Sequence, residues 1–115
     1  MSSPTPINYI ELSSTDRAAS QQFFEKAFGW GFVSYGPDYC SFDHAGVDGG
    51  IAQAAAAAPP LVVLFAEDLN AAQAAVEAAG GLITTAQFDF PGGRRFHFKE
   101  PGGTELAVWG HASSG

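Results

Sequence analysis

Residues Asp16–Trp30 read DRAASQQFFEKAFGW, and residues Asp68–Leu82 read DLNAAQAAVEAAGGL. Laid over each other at an offset of 52 residues, six of the fifteen positions are identical: Asp16/Asp68, Ala19/Ala71, Gln21/Gln73, Glu25/Glu77, Ala27/Ala79 and Gly29/Gly81. Only two of the six are alanine pairs, so alanine richness does not account for the match. Just upstream, Ile10 and Leu12 fall over Val62 and Leu64. Each copy therefore reads as a short strand that runs into a helix, with a glycine beyond the helix end. Self-similarity at a fixed offset predicts two copies of one structural unit.

Around this repeat the remaining elements fall into place. The first copy opens with a strand over Ile7 to Leu12, which buries Ile10 and Leu12 on one face and carries Tyr9 and Glu11 on the other. Ser14 or Thr15 is positioned to cap the helix that follows, and Asp16 favours its positive N-terminal end. Phe23, Phe24 and Phe28 stand at helical spacing, and Gly29 closes the helix. Breaks at Gly36-Pro37-Asp38, Ala45-Gly46 and Gly49-Gly50 leave three short strands between Trp30 and Ala54. Five alanines over Ala54–Ala58 invite a helix, but Pro59-Pro60 and the shortness of the run make it a linker. The second copy repeats the order, with a strand over Leu61–Phe65, a helix over Leu69–Ala79, and strands near Leu82–Gln87, Arg94–Lys99 and Glu105–Trp109. Turns at Pro91-Gly92-Gly93 and Pro101-Gly102-Gly103 separate the last three. The expected fold is α+β, two βαβββ modules at about 7–54 and 61–109 within one domain of 115 residues, forming a cup-shaped mixed sheet with helices outside. Residues 1–5 and 112–115 are expected to be unstructured.

Composition bounds the function. A chain of 12.0 kDa with 46% hydrophobic and 15% charged residues builds a core and is long enough for one domain. Twelve acidic against five basic side chains give a net charge of −7, which repels phosphate backbones and anionic headgroups, so neither nucleic acid nor membrane is an expected partner. The N-terminal residues lack a basic start and an apolar h-region, and the single cysteine, Cys40, cannot form an internal disulfide. A cytoplasmic protein is the expectation.

Two segments carry a family resemblance. Tyr9-Ile-Glu-Leu followed by Thr15-Asp16 and Phe23-Phe-Glu-Lys-Ala-Phe-Gly-Trp30 resembles the opening of the vicinal oxygen chelate superfamily, which groups glyoxalases, bleomycin-resistance proteins and extradiol dioxygenases. Phe96-His-Phe-Lys-Glu-Pro-Gly-Gly-Thr-Glu-Leu-Ala-Val-Trp109 is similar to its closing hairpin, and the match covers Ile7 to Trp109. The resemblance implies a ligand site in the cup. It also implies metal ligands at positions that here hold Tyr9, Leu61 and Ala107, with a fourth within Val47–Gln53, where Gln53 and Asp48 are the obvious donors. Alanine and leucine have no lone pair to give, and a neutral tyrosine is a poor ligand for such ions. No metal and no other cofactor is expected.

Strand alternation gives the side chains that fill the cup instead: Tyr9, Glu11, Arg95, His97, Glu105 and Trp109 as ligand-binding candidates, with His97 and Glu105 the candidate acid-base pair. In proteins that the chain resembles, small anions are bound by the alternate residues before the acidic-Pro turn, here Arg95 and His97. Each candidate has a structural alternative. Tyr9 and Trp109 can fill space, while Glu11, Arg95 and Glu105 can form cross-strand ion pairs. His97 can be a satisfied structural histidine. A metal site built from Glu11, His97 and Glu105 has the right donor types but no supporting spacing. His44 and His111 read as exposed, Cys40 as a buried thiol, and Gly92-Gly93-Arg94-Arg95 as a turn rather than a phosphate loop. The expected function is metal-independent binding of a small organic molecule, similar to the bleomycin-resistance group. The alternative is a lyase or isomerase, with or without a divalent metal, in which His97 or Glu105 moves a proton and Arg95 stabilises an oxyanion. Short strands with edges to hide predict a homodimer.

Overall fold

Asp16 and Asp68, the first identical pair of the repeat, do the same job. Each is the N-cap of its helix, and its carboxylate accepts the backbone N–H three residues on, Ala19 at 3.1 Å and Ala71 at 3.0 Å. Capping therefore falls to Asp16 rather than to Ser14 or Thr15, because Ser14 Oγ instead accepts the Asp16 N–H at 3.0 Å and bonds the Ser20 hydroxyl at 2.6 Å. The computed structural model describes residues 4–111. It contains β1 (Ile7–Ser14), α1 (Arg17–Phe28), β2 (Gly31–Ser34), β3 (Tyr39–Asp43) and β4 (Gly49–Gln53), then β5 (Leu61–Phe65), α2 (Leu69–Ala78), β6 (Leu82–Phe90), β7 (Gly93–Lys99) and β8 (Glu105–Gly110). The order is βαβββ twice, a mixed α+β fold, and residues 54–60 carry neither helix nor strand. The expected disorder of 1–3 and 112–115 lies outside the described residues.

The chain divides into two compact units. One is Tyr9–Leu61; the other begins at Val62 and also takes in the N-terminal residues up to Asn8. In the first unit the strand order is β2-β3-β4-β1, antiparallel except for the parallel β1/β4 pair. Ile10 and Leu12 on β1 join Cys40, Phe42 and Ile51 on the face covered by α1, where Phe24 stacks on Trp30 at 4.5 Å. Of the three helix phenylalanines only Phe24 packs inward; Phe23 and Phe28 are 58% and 63% exposed. In the second unit the order is β5-β8-β7-β6, with β5 and β8 parallel. Phe96, Phe98 and Val108 meet Leu69, Ala72 and Val76 of α2, and complete burial of a side chain such as Phe96 contributes roughly 1.5–3 kcal/mol relative to exposure.

Two glycine readings change. Gly49-Gly50 and Gly93 are strand residues rather than turns. At Gly50 the reason is close approach: a Cβ there would lie 2.2 Å from Tyr39 Oη and 2.7 Å from the Cys40 carbonyl. The repeat also slips by one residue at the helix ends. Gly29 takes the left-handed conformation (φ 75°) after α1, whereas α2 ends one residue earlier than expected and Gly80 (φ 98°), not Gly81, makes the turn.

Candidate functional site

β7 and β8 pair antiparallel with Arg95 opposite Trp109, His97 opposite Ala107 and Lys99 opposite Glu105. Directly paired residues share a face, so Arg95, His97, Lys99, Glu105, Ala107 and Trp109 line one side of the second unit's sheet, while Phe96, Phe98, Leu106 and Val108 line the side toward α2. Four of the six expected site residues are thereby brought together.

Each is held by identifiable neighbours. Glu105 Oε2 accepts a hydrogen bond from the Thr84 hydroxyl at 3.1 Å and lies 3.6 Å from His97 Nδ1. The imidazole is the more sheltered partner, with 16% of its side chain exposed against 44% for the carboxylate. Phe88 stands 5.8 Å from the His97 ring, and the Arg95 guanidinium lies 5.4 Å from the centre of Phe88 and 5.8 Å from that of Phe90. Trp109 donates its indole N–H to Asn8 Oδ1 at 3.0 Å and packs edge-on against Phe65 at 4.8 Å. The face thus combines the Arg95 guanidinium, the Lys99 ammonium at its exposed end, one imidazole–carboxylate pair and a wall of partly buried rings. Such a surface can orient a polar organic molecule by a few directional bonds and hold its flat part by stacking.

Tyr9 and Glu11 belong to the first unit. Both lie on the face of β1 opposite Ile10 and Leu12, and Glu11 is in register with Gly50. The Tyr9 hydroxyl is hydrogen-bonded to the Tyr39 hydroxyl, whose ring lies over the bare backbone of Gly50. Burial pushes the Tyr9 phenol above its ordinary value of 10.0; the Tyr39 hydrogen bond opposes this and the Glu11 charge adds to it. Tyr9 is therefore a neutral hydrogen-bonding group at physiological pH. Gln53 faces away from this surface. Its amide clasps the start of α1, accepting the Arg17 N–H at 2.9 Å and donating to the Thr15 carbonyl at 2.7 Å.

Sequence reading missed Tyr39, Thr84, Phe88 and Phe90. The last two were accessible, because the strand signal Gln87-Phe-Asp-Phe90 runs on to the Pro91 turn and β6 extends to Phe90. Tyr39 was not, because nothing in the sequence reveals that a glycine of β4 leaves room for its ring. His44 is exposed beside Asp43, at 3.5 Å, in a turn where it takes φ 62°. Cys40 is fully buried. His111 stacks edge-on against both Phe65 and Trp109 at 5.4 Å.

Comparison with known proteins places this architecture. No protein of curated function matches the sequence. Three solved structures superpose well. The Mn(II)-bound glyoxalase of Novosphingobium aromaticivorans matches with a TM-score of 0.69 at 24% identity, over 96% of this chain and 42% of that one, so the chain spans less than half the length of that relative. A variant of the Streptomyces coelicolor methylmalonyl-CoA epimerase, in complex with 2-nitronate-propionyl-CoA, matches with a TM-score of 0.68 at 13% identity, over 96% of this chain and all of that one (100%). A glyoxalase/bleomycin resistance protein/dioxygenase superfamily member from Vibrio splendidus 12B01 matches with a TM-score of 0.69 at 16% identity, over 93% and 99%. At these identities the likeness is one of fold, and fold alone does not assign a reaction. The family model of the same superfamily matches residues 6–108, nearly the full described length. By that match, and by the doubled βαβββ order that the internal repeat predicts, the chain belongs to the Glyoxalase/Bleomycin resistance protein/Dioxygenase superfamily.

Proposed function

We propose that this protein binds a small organic molecule without a metal ion, using the β7/β8 face as its ligand surface. The observation that carries the reading is the chemistry of the side chains where the resemblance puts metal ligands. Ala107 is fully buried hydrocarbon, and its neighbour across the parallel β5/β8 pair is Val63, 2% exposed. Leu61 offers no donor atom. Tyr9 is engaged with Tyr39, and Gln53 is committed to the start of α1. Among the described residues no cluster of three His, Cys, Asp or Glu side chains stands close enough to hold an ion. The donor set does not fit a divalent metal, which selects against the metal-polarised reactions of the superfamily. What this face offers instead is Arg95, the His97–Glu105 pair and Trp109 in an aromatic setting, the mixture expected of a recognition surface.

A thermal-shift screen of metabolites and antibiotics, run in chelator and again with added Mn²⁺, Ni²⁺ or Zn²⁺, tests the reading. Ligands that raise the melting temperature equally in both conditions support it. Stabilisation confined to the metal-supplemented series overturns it.

One observation favours a second reading, a lyase or isomerase. The 3.6 Å approach of His97 Nδ1 to Glu105 Oε2 resembles a base and the group that orients it, and Arg95 on the same face could stabilise an oxyanion. Turnover of a bound ligand that His97→Gln abolishes while leaving its affinity largely intact would select this reading over binding alone.

A further inference from the structure

The repeat places different amounts of ring volume under its two helices. At the offset of 52 residues, Phe23, Phe24 and Phe28 of α1 fall over Ala75, Val76 and Gly80, and Trp30 falls over Leu82. In the first unit Phe24 stacks on Trp30 at 4.5 Å and Trp30 packs on Phe42 at 5.0 Å, so rings fill the space between helix and sheet. In the second unit Val76 is the smaller counterpart of Phe24, and Leu82 is 66% exposed instead of packing inward. What remains is an open groove of about 270 Å³, walled by Ala72, Ala75 and Val76 of α2 and floored by Leu64, Phe98 and Val108 of the sheet. It lies on the α2 side of that sheet, away from the β7/β8 ligand face.

α1 has the opposite imbalance, with more rings than its own unit buries. Phe23 and Phe28 are 58% and 63% exposed, touch each other edge-on at 6.1 Å, and are backed by Phe24 at 5.3 and 6.4 Å. They form one apolar knob rather than two scattered side chains. A void of about 150 Å³ with an aliphatic lining takes up one benzene ring. The larger groove therefore admits a phenyl side chain with room beside it. The charges match as well. α1 bears Arg17 and Lys26 against Glu25, whereas α2 bears Glu77 and no cation. Glu100 lines the groove and no basic residue does so among the described residues. The N–H groups of Gly102 and Thr104 fix that carboxylate in place, each at 2.8 Å. Lys26 is exposed and stands three residues from Phe23, on the same side of the helix. We propose that copies of this chain associate by seating the Phe23–Phe28 knob of one copy in the α2 groove of another, with Lys26 beside Glu100. Rings of the first repeat copy thereby supply, between molecules, the volume that the second repeat copy lacks.

Sedimentation velocity of the full chain and its variants tests the contact. Wild type should run at twice the 12.0 kDa chain mass. Phe23→Ser/Phe28→Ser, which removes the knob and keeps the groove, should weaken association by about 30-fold or more. Ala75→Phe gives position 75 the residue that the first repeat copy has at 23, fills the groove and should weaken association as far. Ala75→Leu repeats that measurement with a smaller group and guards against a folding defect in the phenylalanine variant. Lys26→Glu should weaken association about threefold or more, and the effect should shrink as salt is raised. The decisive step mixes the knob-less variant with the groove-filled one. Each alone should run as a single chain of 12.0 kDa, and the equimolar mixture should regain a species of twice that mass, because one supplies the groove and the other the rings. Ring-dependent association that survives both groove fillings would mean that the α1 rings meet each other across the interface, and would overturn the proposal. So would a mixture that stays at the mass of one chain. A wild-type chain that remains single up to about 100 µM would leave the groove to a small apolar molecule and overturn it directly.

Discussion

Replacing Gly50 by alanine puts a methyl group where the end of Tyr39 now lies. The new Cβ would stand 2.2 Å from Tyr39 Oη, 2.5 Å from its Cζ and 2.7 Å from the Cys40 carbonyl oxygen. The phenol can swing aside, but the carbonyl belongs to β3, which pairs with β4 along its length, so strand backbone must also move. Overpacking of this kind costs roughly 1–3 kcal/mol. Displacing Tyr39 breaks its bond to Tyr9, at about 0.5–1.5 kcal/mol more. Restriction of the unfolded chain by alanine returns about 0.4–1 kcal/mol. The net loss is about 0.5–4 kcal/mol, centred near 2 kcal/mol, a fall in Tm on the order of 10 °C for a domain of this size. Denaturant melts of Gly50→Ala, Tyr39→Phe, Tyr39→Ala and the Gly50→Ala/Tyr39→Ala double variant separate the contributions. Tyr39→Phe, which removes the hydroxyl bonded to Tyr9, should cost about 1 kcal/mol. The methyl should cost at least about 1 kcal/mol less once the Tyr39 ring is gone, a coupling above the scatter of independent sites. A Gly50→Ala variant within about 0.5 kcal/mol of wild type, or full additivity in the double variant, would refute the cradle.

Further outcomes follow from the same physics. Asp68→Ala removes the N-cap bond to the Ala71 N–H and should lower stability by about 1 kcal/mol, with Asp68→Asn retaining most of it; an alanine variant as stable as wild type in urea would contradict the assignment. Glu100 is held below its ordinary value of 4.5 by the backbone N–H groups of Thr104 and Gly102, so its contribution is present above that value and lost as pH falls through the lower folded value. Glu100→Gln should therefore flatten the acid limb of the stability–pH curve, and an unchanged limb would count against the turn bonds. Phe23 and Phe28 leave an apolar surface on α1, and a homodimer is expected; light scattering at micromolar concentration should give twice the 12.0 kDa chain mass, and the mass of one chain would contradict it.

The fold was legible because its signals are local and doubled. Asp16 and Asp68 mark two helix starts, strand alternation separates Ile10 and Leu12 from Tyr9 and Glu11, and Pro-Gly turns punctuate the last three strands. Alternation also placed Arg95, His97, Glu105 and Trp109 on one face, because the β7/β8 hairpin fixes their register. The errors share a cause. Gly49-Gly50 and Gly93 look like turn residues in sequence, yet their lack of a side chain serves close packing within a sheet, and only the paired strand reveals that. Gln53, a plausible ligand by residue type, spends its amide on two backbone groups 36 and 38 positions away in sequence. Tyr39 escaped notice for the same reason: its role depends on Gly50 beneath it and Tyr9 beside it, both distant in sequence.

Ligand binding by this protein is proposed to need no metal. This is tested most directly by isothermal titration of the strongest ligand from the thermal-shift screen into exhaustively chelated protein, and into the same protein given one equivalent of Mn²⁺. With hydrocarbon at Ala107 and Val63 and the Tyr9 hydroxyl bound to Tyr39, the same Kd and one site per chain are expected in both titrations. Binding that vanishes on chelation and returns with Mn²⁺ would contradict it.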